Sequence, residues 1–269
     1  MRAERFWEKN GRANGNPKPL FIGEWDRALF IHFEVDAGAL QAEAPFRLDL
    51  REGKAYVSLV AFIMRRMRPC RGGRLAEWCF SPIATHELLN LRTYVRHRGE
   101  AGIYFLAEWI PNPLSAFLGP RTFGLPYRLG ILDYEHCHEK GSLRGRVESA
   151  ERDRCGEFVY SADLGERSIF SHCVSGSLDE FLLERYIAFT EYRGKRRFFR
   201  VWHAPWPQVS TRVSVSSNSL LRSVAPCLRE ARLVGANYSP GVQNVRMGWP
   251  NKVPESGLRR SLSAWFEMP

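Results

Sequence analysis

Four side chains in this sequence are of types that can hold or move charge on a small molecule: His32, Arg92, Glu108 and Tyr127. An arginine presents a planar fork that grips a carboxylate or a carbonyl oxygen. A glutamate or histidine beside it can serve as general base, and a tyrosine as acid or hydrogen-bond donor. Such a set suits enolisation, dehydration or hydrolysis of a small carbonyl compound. Plainer roles exist for the same residues: His32 as a hydrogen-bonded histidine between sheet layers, Tyr127 as core filling with its hydroxyl on backbone.

A hairpin must position them. On its first arm Leu91, Thr93 and Val95 share one face, and Asn90, Arg92, Tyr94 and Arg96 the other, as the period of two along a strand requires. The turn falls near Arg98-Gly99-Glu100, and Gly102 to Ile110 returns as a strand rich in β-branched and aromatic residues. Pairing Tyr94 with Tyr104 sets Glu108 beside Asn90, on the face of Arg92; a slip of one residue reverses that. The polar face either meets solvent or forms the inner wall of a partly closed barrel around a ligand. In the second case Tyr94, Arg96, Tyr104, Arg121 and Arg128 join as ligand-binding candidates.

The 269 residues, 44% hydrophobic and 13% aromatic, suffice for one large β-rich domain over residues 21–250, between a loose arm at 1–20 and a tail at 251–269. The net charge of +10 invites a nucleic-acid reading. The basic residues are spread along the chain, however, and their densest groups, at 65–74 and 195–200, sit in no recognisable nucleic-acid module. Neither an apolar signal core at the N-terminus nor an apolar run long enough to span a bilayer is present, so a soluble cytoplasmic protein is expected. His136 and His138 share a strand face, and Glu135, Cys155 or His172 could complete a metal site. The turn-like Glu139-Lys140-Gly141 beside them favours an exposed loop, so neither metal nor cofactor is expected.

Along the chain, Ala28 to Val35 alternates as a strand, and Asp36 caps a short helix. Ala55 to Met64 is apolar on both faces, which belongs at the centre of a sheet. Arg65 to Pro82 reads as a basic loop rimming a pocket, and Asn112 to Gly119 as one or two helical turns. Ser177 and Glu180, at capping-box spacing, open the longest helix, at about 178–192. Gly257 to Phe266 reads as a small amphipathic helix.

Several segments in order carry a resemblance: Leu-Phe-Ile-His32, Asn90-Leu-Arg-Thr-Tyr-Val-Arg96, Gly102-Ile-Tyr-Phe105, Phe123-Gly-Leu-Pro-Tyr127, Gly176 to Tyr186, His203-Ala-Pro-Trp-Pro207 and Tyr238-Ser-Pro-Gly241. From about residue 23 to about residue 250 the chain resembles the YqjF-like family of uncharacterised proteins, a branch of the acetoacetate decarboxylase-like superfamily. The resemblance implies a mainly β fold, a twisted, partly closed barrel or cone around a small-molecule cavity with few helices. In the decarboxylases a Gly-x-Pro-Lys turn supplies a lysine that forms a Schiff base with a keto acid. Here the turn is Gly124-Leu125-Pro126-Tyr127, and Arg92 stands where the decarboxylases carry a glutamate. Neither tyrosine nor arginine can form that imine. The expectation is therefore a binding protein for a small organic acid or carbonyl ligand, without the Schiff-base lysine. A lyase or hydrolase that forms no Schiff base, and a partner-binding module using an arginine-rich rim, are the alternatives. Homo-oligomerisation is left open.

Overall fold

The protein is described here by a computed structural model covering residues 19–151, 155–165 and 168–253. Most of the expected arm, the tail from residue 254 and the helix read at Gly257 to Phe266 lie outside the described residues.

The chain is mainly β. Strand β1 (Phe21–Val35) leads into helix α1 (Ala37–Glu43), whose N-cap Asp36 accepts from the Ala39 amide at 2.7 Å. β2 (Arg47–Leu48) and β3 (Ala55–Pro69) precede α2 (Gly73–Phe80). The long hairpin follows as β4 (His86–His97) and β5 (Glu100–Ile110), then α3 (Pro113–Thr122), capped by Asn112. β6 (Tyr127–Cys137), β7 (Ser142–Ser149) and β8 (Glu157–Asp163) form a meander. Last come α4 (Leu178–Leu183), β9 (Ile187–Tyr192), β10 (Lys195–Trp202), β11 (Val209–Asn218), α5 (Ser219–Arg222), β12 (Arg232–Met247) and β13 (Asn251–Lys252). No helix among the described residues is long and apolar enough to cross a membrane.

All the strands join in one sheet whose pairing returns on itself. From β4 it passes through β5, β9, β10, β12, β1 and β3 and back to β4. The strands of this ring are apolar on both faces because two cores lie against them. Leu29, Ile31 and Phe33 of β1, with Val57 and Leu59 of β3, enter one core; Phe30, Val60, Phe62 and Met64 point the opposite way into the other. Burying each such side chain contributes about 1.5–3 kcal/mol, so the double-sided pattern holds the ring closed. The second core surrounds the candidate site.

Two expectations are corrected. The helix expected at about 178–192 ends at Leu183, and Ile187–Tyr192 is strand β9, parallel to β5 and antiparallel to β10. Glu184 stops the helix: its carboxylate accepts from the Trp206 amide at 2.9 Å and from the Tyr186 hydroxyl. The run Ile-Ala-Phe-Thr-Glu-Tyr192, β-branched and aromatic, then fits a pleated surface better than a helix. The basic stretch from Arg65 is likewise not a loop throughout, since β3 extends to Pro69 and Gly73 to Phe80 is helical.

Candidate ligand-binding site

The hairpin register decides what faces the second core. Asn90 pairs with Glu108 and Leu91 with Ala107, but Arg92 pairs with Phe105, leaving Leu106 as a bulge. The expected pairing of Tyr94 with Tyr104 is thereby corrected: Tyr94 opposes Ile103, and Tyr104 opposes Thr93 on the other face. Without the bulge, Phe105 and Glu108, three residues apart, would point to opposite faces. With it, Ile103, Phe105 and Glu108 all reach one cavity together with Asn90 and Arg92.

Glu108 is also the register neighbour of Tyr127 on β6, and its amide donates to the Pro126 carbonyl at 3.2 Å. Asn90, Glu108 and Tyr127 therefore form a row across three strands. The tight turn before Tyr127 uses Gly124 at φ +76°, where any Cβ would press within 2.9 Å of the Thr190 hydroxyl. Gly119 packs under the Tyr127 ring, where a Cβ would lie 2.3 Å from ring carbons.

The cavity encloses about 90 Å³. Most of its wall is apolar, with Phe30, Trp25 and Trp206 contributing rings, that of Trp206 packed on both of the others. Against that wall, Asn90 Oδ1, Arg92 Nε and Glu108 Oε2 are buried without a hydrogen-bond partner among the described residues. An orphaned buried polar atom costs about 1–3 kcal/mol, and three in one small space mark a site built for something else to complete.

Arg92 is 7% exposed, and Nη2 donates to the Leu182 carbonyl at 3.0 Å. Its guanidinium lies 5.4 Å from the centre of the Phe30 ring, and no carboxylate among the described residues forms an ion pair with it. The second cation on the wall, Arg185, is already paired with Asp49 at 2.8 Å, and it also lines an outer cleft shared with Arg96 and Glu184. Burial holds the Glu108 carboxyl well above the usual carboxylate range, so it keeps its proton. Burial, and then Glu108, raise the Tyr127 hydroxyl. The cavity thus carries one uncompensated positive charge beside a neutral acid.

The remaining candidates lie elsewhere. His32 is a layer behind the wall, with Nδ1 2.6 Å from Ser58 Oγ and Nε2 3.0 Å from Asn237 Oδ1; burial and then Arg92 lower it to about 3. Ser58 Oγ bonds in turn to the Tyr94 hydroxyl at 2.5 Å. Arg96 pairs with Asp49 at 3.1 Å in the outer cleft, and Tyr104 packs on Phe46 in the first core, its hydroxyl pushed up to about 12 chiefly by burial. Arg121 stacks over Phe117 at 3.7 Å, and Arg128 lies over Trp109 at 5.6 Å. None of these six lines the cavity. Both nitrogens of His136 are engaged, by the Arg27 carbonyl and the Tyr160 hydroxyl, and no metal-holding cluster of three ligating side chains occurs among the described residues.

Sequence reasoning missed His203 and Arg185. His203 is 1% exposed, lines the cavity, and hydrogen bonds through Nδ1 to the Ala204 carbonyl at 2.7 Å. It follows β10, more than ninety positions after the end of the hairpin, and only closure of the ring brings it close. The sole sequence signal was the motif His203-Ala-Pro-Trp-Pro207, which stood only among the segments that carry the family resemblance.

Comparison with known proteins agrees with this architecture. The family DUF2071, an uncharacterized conserved protein, matches residues 23–243. The uncharacterized protein YqjF of Bacillus subtilis (strain 168) is 32% identical over 222 residues, covering 81% of this chain and 86% of YqjF. Among solved structures, an acetoacetate decarboxylase-like enzyme from Sphingomonas wittichii RW1 superposes with a TM-score of 0.59 at 14% identity, covering 88% of this chain and 94% of that one. Acetoacetate decarboxylase from Legionella pneumophila gives 0.59 at 13% identity, covering 92% and 95%. The enduracididine biosynthesis enzyme MppR, complexed with pyruvate, gives 0.57 at 11%, covering 90% and 93%. At such identities the likeness to these structures is one of fold.

Proposed function

The chain belongs to the DUF2071 family of uncharacterized conserved proteins, and on that premise we propose that it binds a small carbonyl-bearing organic acid in the internal cavity, with the ligand carboxylate on Arg92. The observation that supports the proposal is a buried guanidinium that has no carboxylate partner among the described residues and lines the same cavity as two other polar side chains with an atom unpartnered among them. A buried cation costs several kcal/mol unless something compensates it, and an anionic ligand would do so. Glu108, as a neutral acid, supplies a proton to a ligand oxygen, and Asn90 Oδ1 accepts from a hydroxyl or hydrate.

Volume limits the ligand. A dry cavity of about 150 Å³ accommodates benzene, so about 90 Å³ limits the ligand to a molecule of no more than about six heavy atoms. Pyruvate, the molecule bound to MppR, is of that size and chemistry. No lysine is among the described residues lining the cavity, and by the family resemblance Tyr127 stands in the turn where the decarboxylases carry theirs, so binding without a Schiff base is part of the proposal. A single domain over residues 21–250 and a cytoplasmic location belong to the same reading.

The test is a thermal-shift screen of short carboxylic and 2-oxo acids on the wild type and on Arg92→Ala. Acids that raise the wild-type Tm should leave Arg92→Ala unmoved; equal stabilisation of both proteins rejects Arg92 as the anchor. Borohydride treatment in the presence of pyruvate should leave the protein mass unchanged, and a covalent adduct would refute the lysine-free reading.

A further inference from the structure

A second pair of groups on the same wall points to chemistry beyond binding. Resting on the reading above, we propose that His203 and Glu108 form a proton-transfer pair and that the protein interconverts the keto and enol forms of a short 2-oxo acid held on Arg92.

Three observations carry this. A carbonyl oxygen can only accept, so the hydrogen bond from His203 Nδ1 to the Ala204 carbonyl places the ring proton on Nδ1 and leaves Nε2 with a free lone pair. Nε2 has no hydrogen-bond partner among the described residues, whereas both nitrogens of His32 are engaged. Second, the ring is held from three sides, by Trp25 at 5.3 Å, Trp206 at 5.1 Å and Tyr186 at 4.9 Å between centroids, so the base is positioned before any ligand arrives. Third, His203 and Glu108 line one cavity of about 90 Å³ together with Arg92, so the three groups face the same ligand space.

The environments of the two groups assign their roles. Burial holds Glu108 protonated, and burial together with Arg92 holds His203 unprotonated, its value lowered to about 4. Two titratable groups pushed apart in this way are a neutral acid and a neutral base in one site. The Arg92 charge weakens the base while the cavity is empty. A ligand carboxylate on Arg92 offsets that charge and strengthens His203 when there is something to deprotonate.

The step balances without any other reactant. Nε2 of His203 takes a proton from the carbon next to the keto group, and the C–H electron pair becomes the carbon–carbon double bond. The carbonyl π pair then takes the Glu108 proton. The products are the enol, an imidazolium and a carboxylate, and the reverse step restores all three starting groups. In D2O a ligand C–H becomes C–D in each cycle in which the imidazolium proton exchanges with solvent before the reverse step.

Pyruvate in D2O, followed by proton NMR, is the probe. Wild-type protein should speed loss of the methyl signal by about 100-fold or more over buffer, the usual yield of positioned acid–base groups. His203→Gln should bring exchange back to the buffer rate while pyruvate still raises the Tm. Glu108→Gln, which tests the partner independently should His203→Gln not fold, should slow exchange at least about tenfold with binding retained. Wild-type protein that binds pyruvate without accelerating exchange overturns this inference and leaves the binding proposal standing. Absence of pyruvate binding overturns both. Undiminished exchange in either variant, or exchange accompanied by a borohydride-trapped adduct, overturns the assignment of the pair.

Discussion

Arg92 and Tyr94 hydrogen bond to the same carbonyl oxygen, that of Leu182, at 3.0 and 2.9 Å. The shared acceptor ties the end of α4 to β4 and fixes the guanidinium against the cavity. It also separates the structural role of Arg92 from its proposed ligand role, because Tyr94 still satisfies the Leu182 carbonyl when Arg92 is removed.

Replacing Arg92 with methionine should therefore change unliganded stability by no more than about 1 kcal/mol, or increase it, because an uncompensated buried charge is exchanged for an apolar chain of similar length. The same variant should lose about 2–3 kcal/mol of ligand stabilisation, the strength of charge-assisted hydrogen bonds to a carboxylate. Chemical denaturation with and without a stabilising acid checks both. A large loss of unliganded stability would mean that the cation serves the fold.

Asp49 is the opposite case, a charge the fold needs. It joins the buried Arg185 to the half-exposed Arg96. Asp49→Ala should cost about 3–5 kcal/mol, because it strands the Arg185 guanidinium without its partner. Arg96→Ala should cost no more than about 1 kcal/mol, the range for an exposed pair. Urea midpoints of the two variants should differ accordingly.

Acid should unfold the protein through its histidines. Burial holds His32 at about 3 and His136 and His203 at about 4, whereas an unfolded chain titrates near 6.5. As pH falls from about 6.5 towards 4, the unfolded state takes up protons that the fold refuses, and stability drops by about 1.4 kcal/mol per pH unit per histidine. Above that window these groups are neutral in both states and contribute no slope. Tm measured from pH 7 to 4 should fall steeply, and less steeply in His136→Gln; a flat profile would contradict the burial of these rings.

Glu108 acts in the reverse sense. Its folded value is raised, so its contribution is fully present below the unfolded value near 4.5 and is lost as pH rises through the folded one. Glu108→Gln keeps the shape and a donor without the ionisable proton. The variant should match the wild type at about pH 4 and exceed it in stability at about pH 8, read from denaturant midpoints. A variant less stable than the wild type at the higher pH would imply that the carboxylate is compensated there.

Gly119→Ala should push Tyr127 off its seat, since the new methyl would lie 2.3 Å from the ring. Overpacking of this kind costs about 1–3 kcal/mol, and the displaced ring should also shrink the cavity and reduce the thermal shift caused by bound acids. An unchanged ligand response would place Tyr127 outside the binding surface.

What the sequence determined alone follows from local periodicity. Period-two alternation in β1 and β4 sorted side chains onto two faces, the unbroken apolar run of β3 marked a central strand, Asp36, Asn112 and Ser177 marked helix starts, and the pairing of Asn90 with Glu108 was legible from the hairpin. Register beyond Leu91 was not legible, because a bulge at Leu106 leaves no mark in an apolar strand and yet reverses the faces of every residue after it. The switch from helix to strand after Leu183 was hidden for a related reason: Ile187–Tyr192 becomes a strand because β5 and β10 flank it, and strand preference depends on such neighbours. Only the tertiary structure decided which charges count. Arg92, Arg96, Arg121, Arg128 and Arg185 are alike as letters, but ring closure left Arg92 buried without a carboxylate among the described residues, paired Arg96 and Arg185 with Asp49, and set Arg121 and Arg128 on aromatic rings. His203 reached the cavity by the same closure, since burial and partnership are properties of the folded chain and have no period along it.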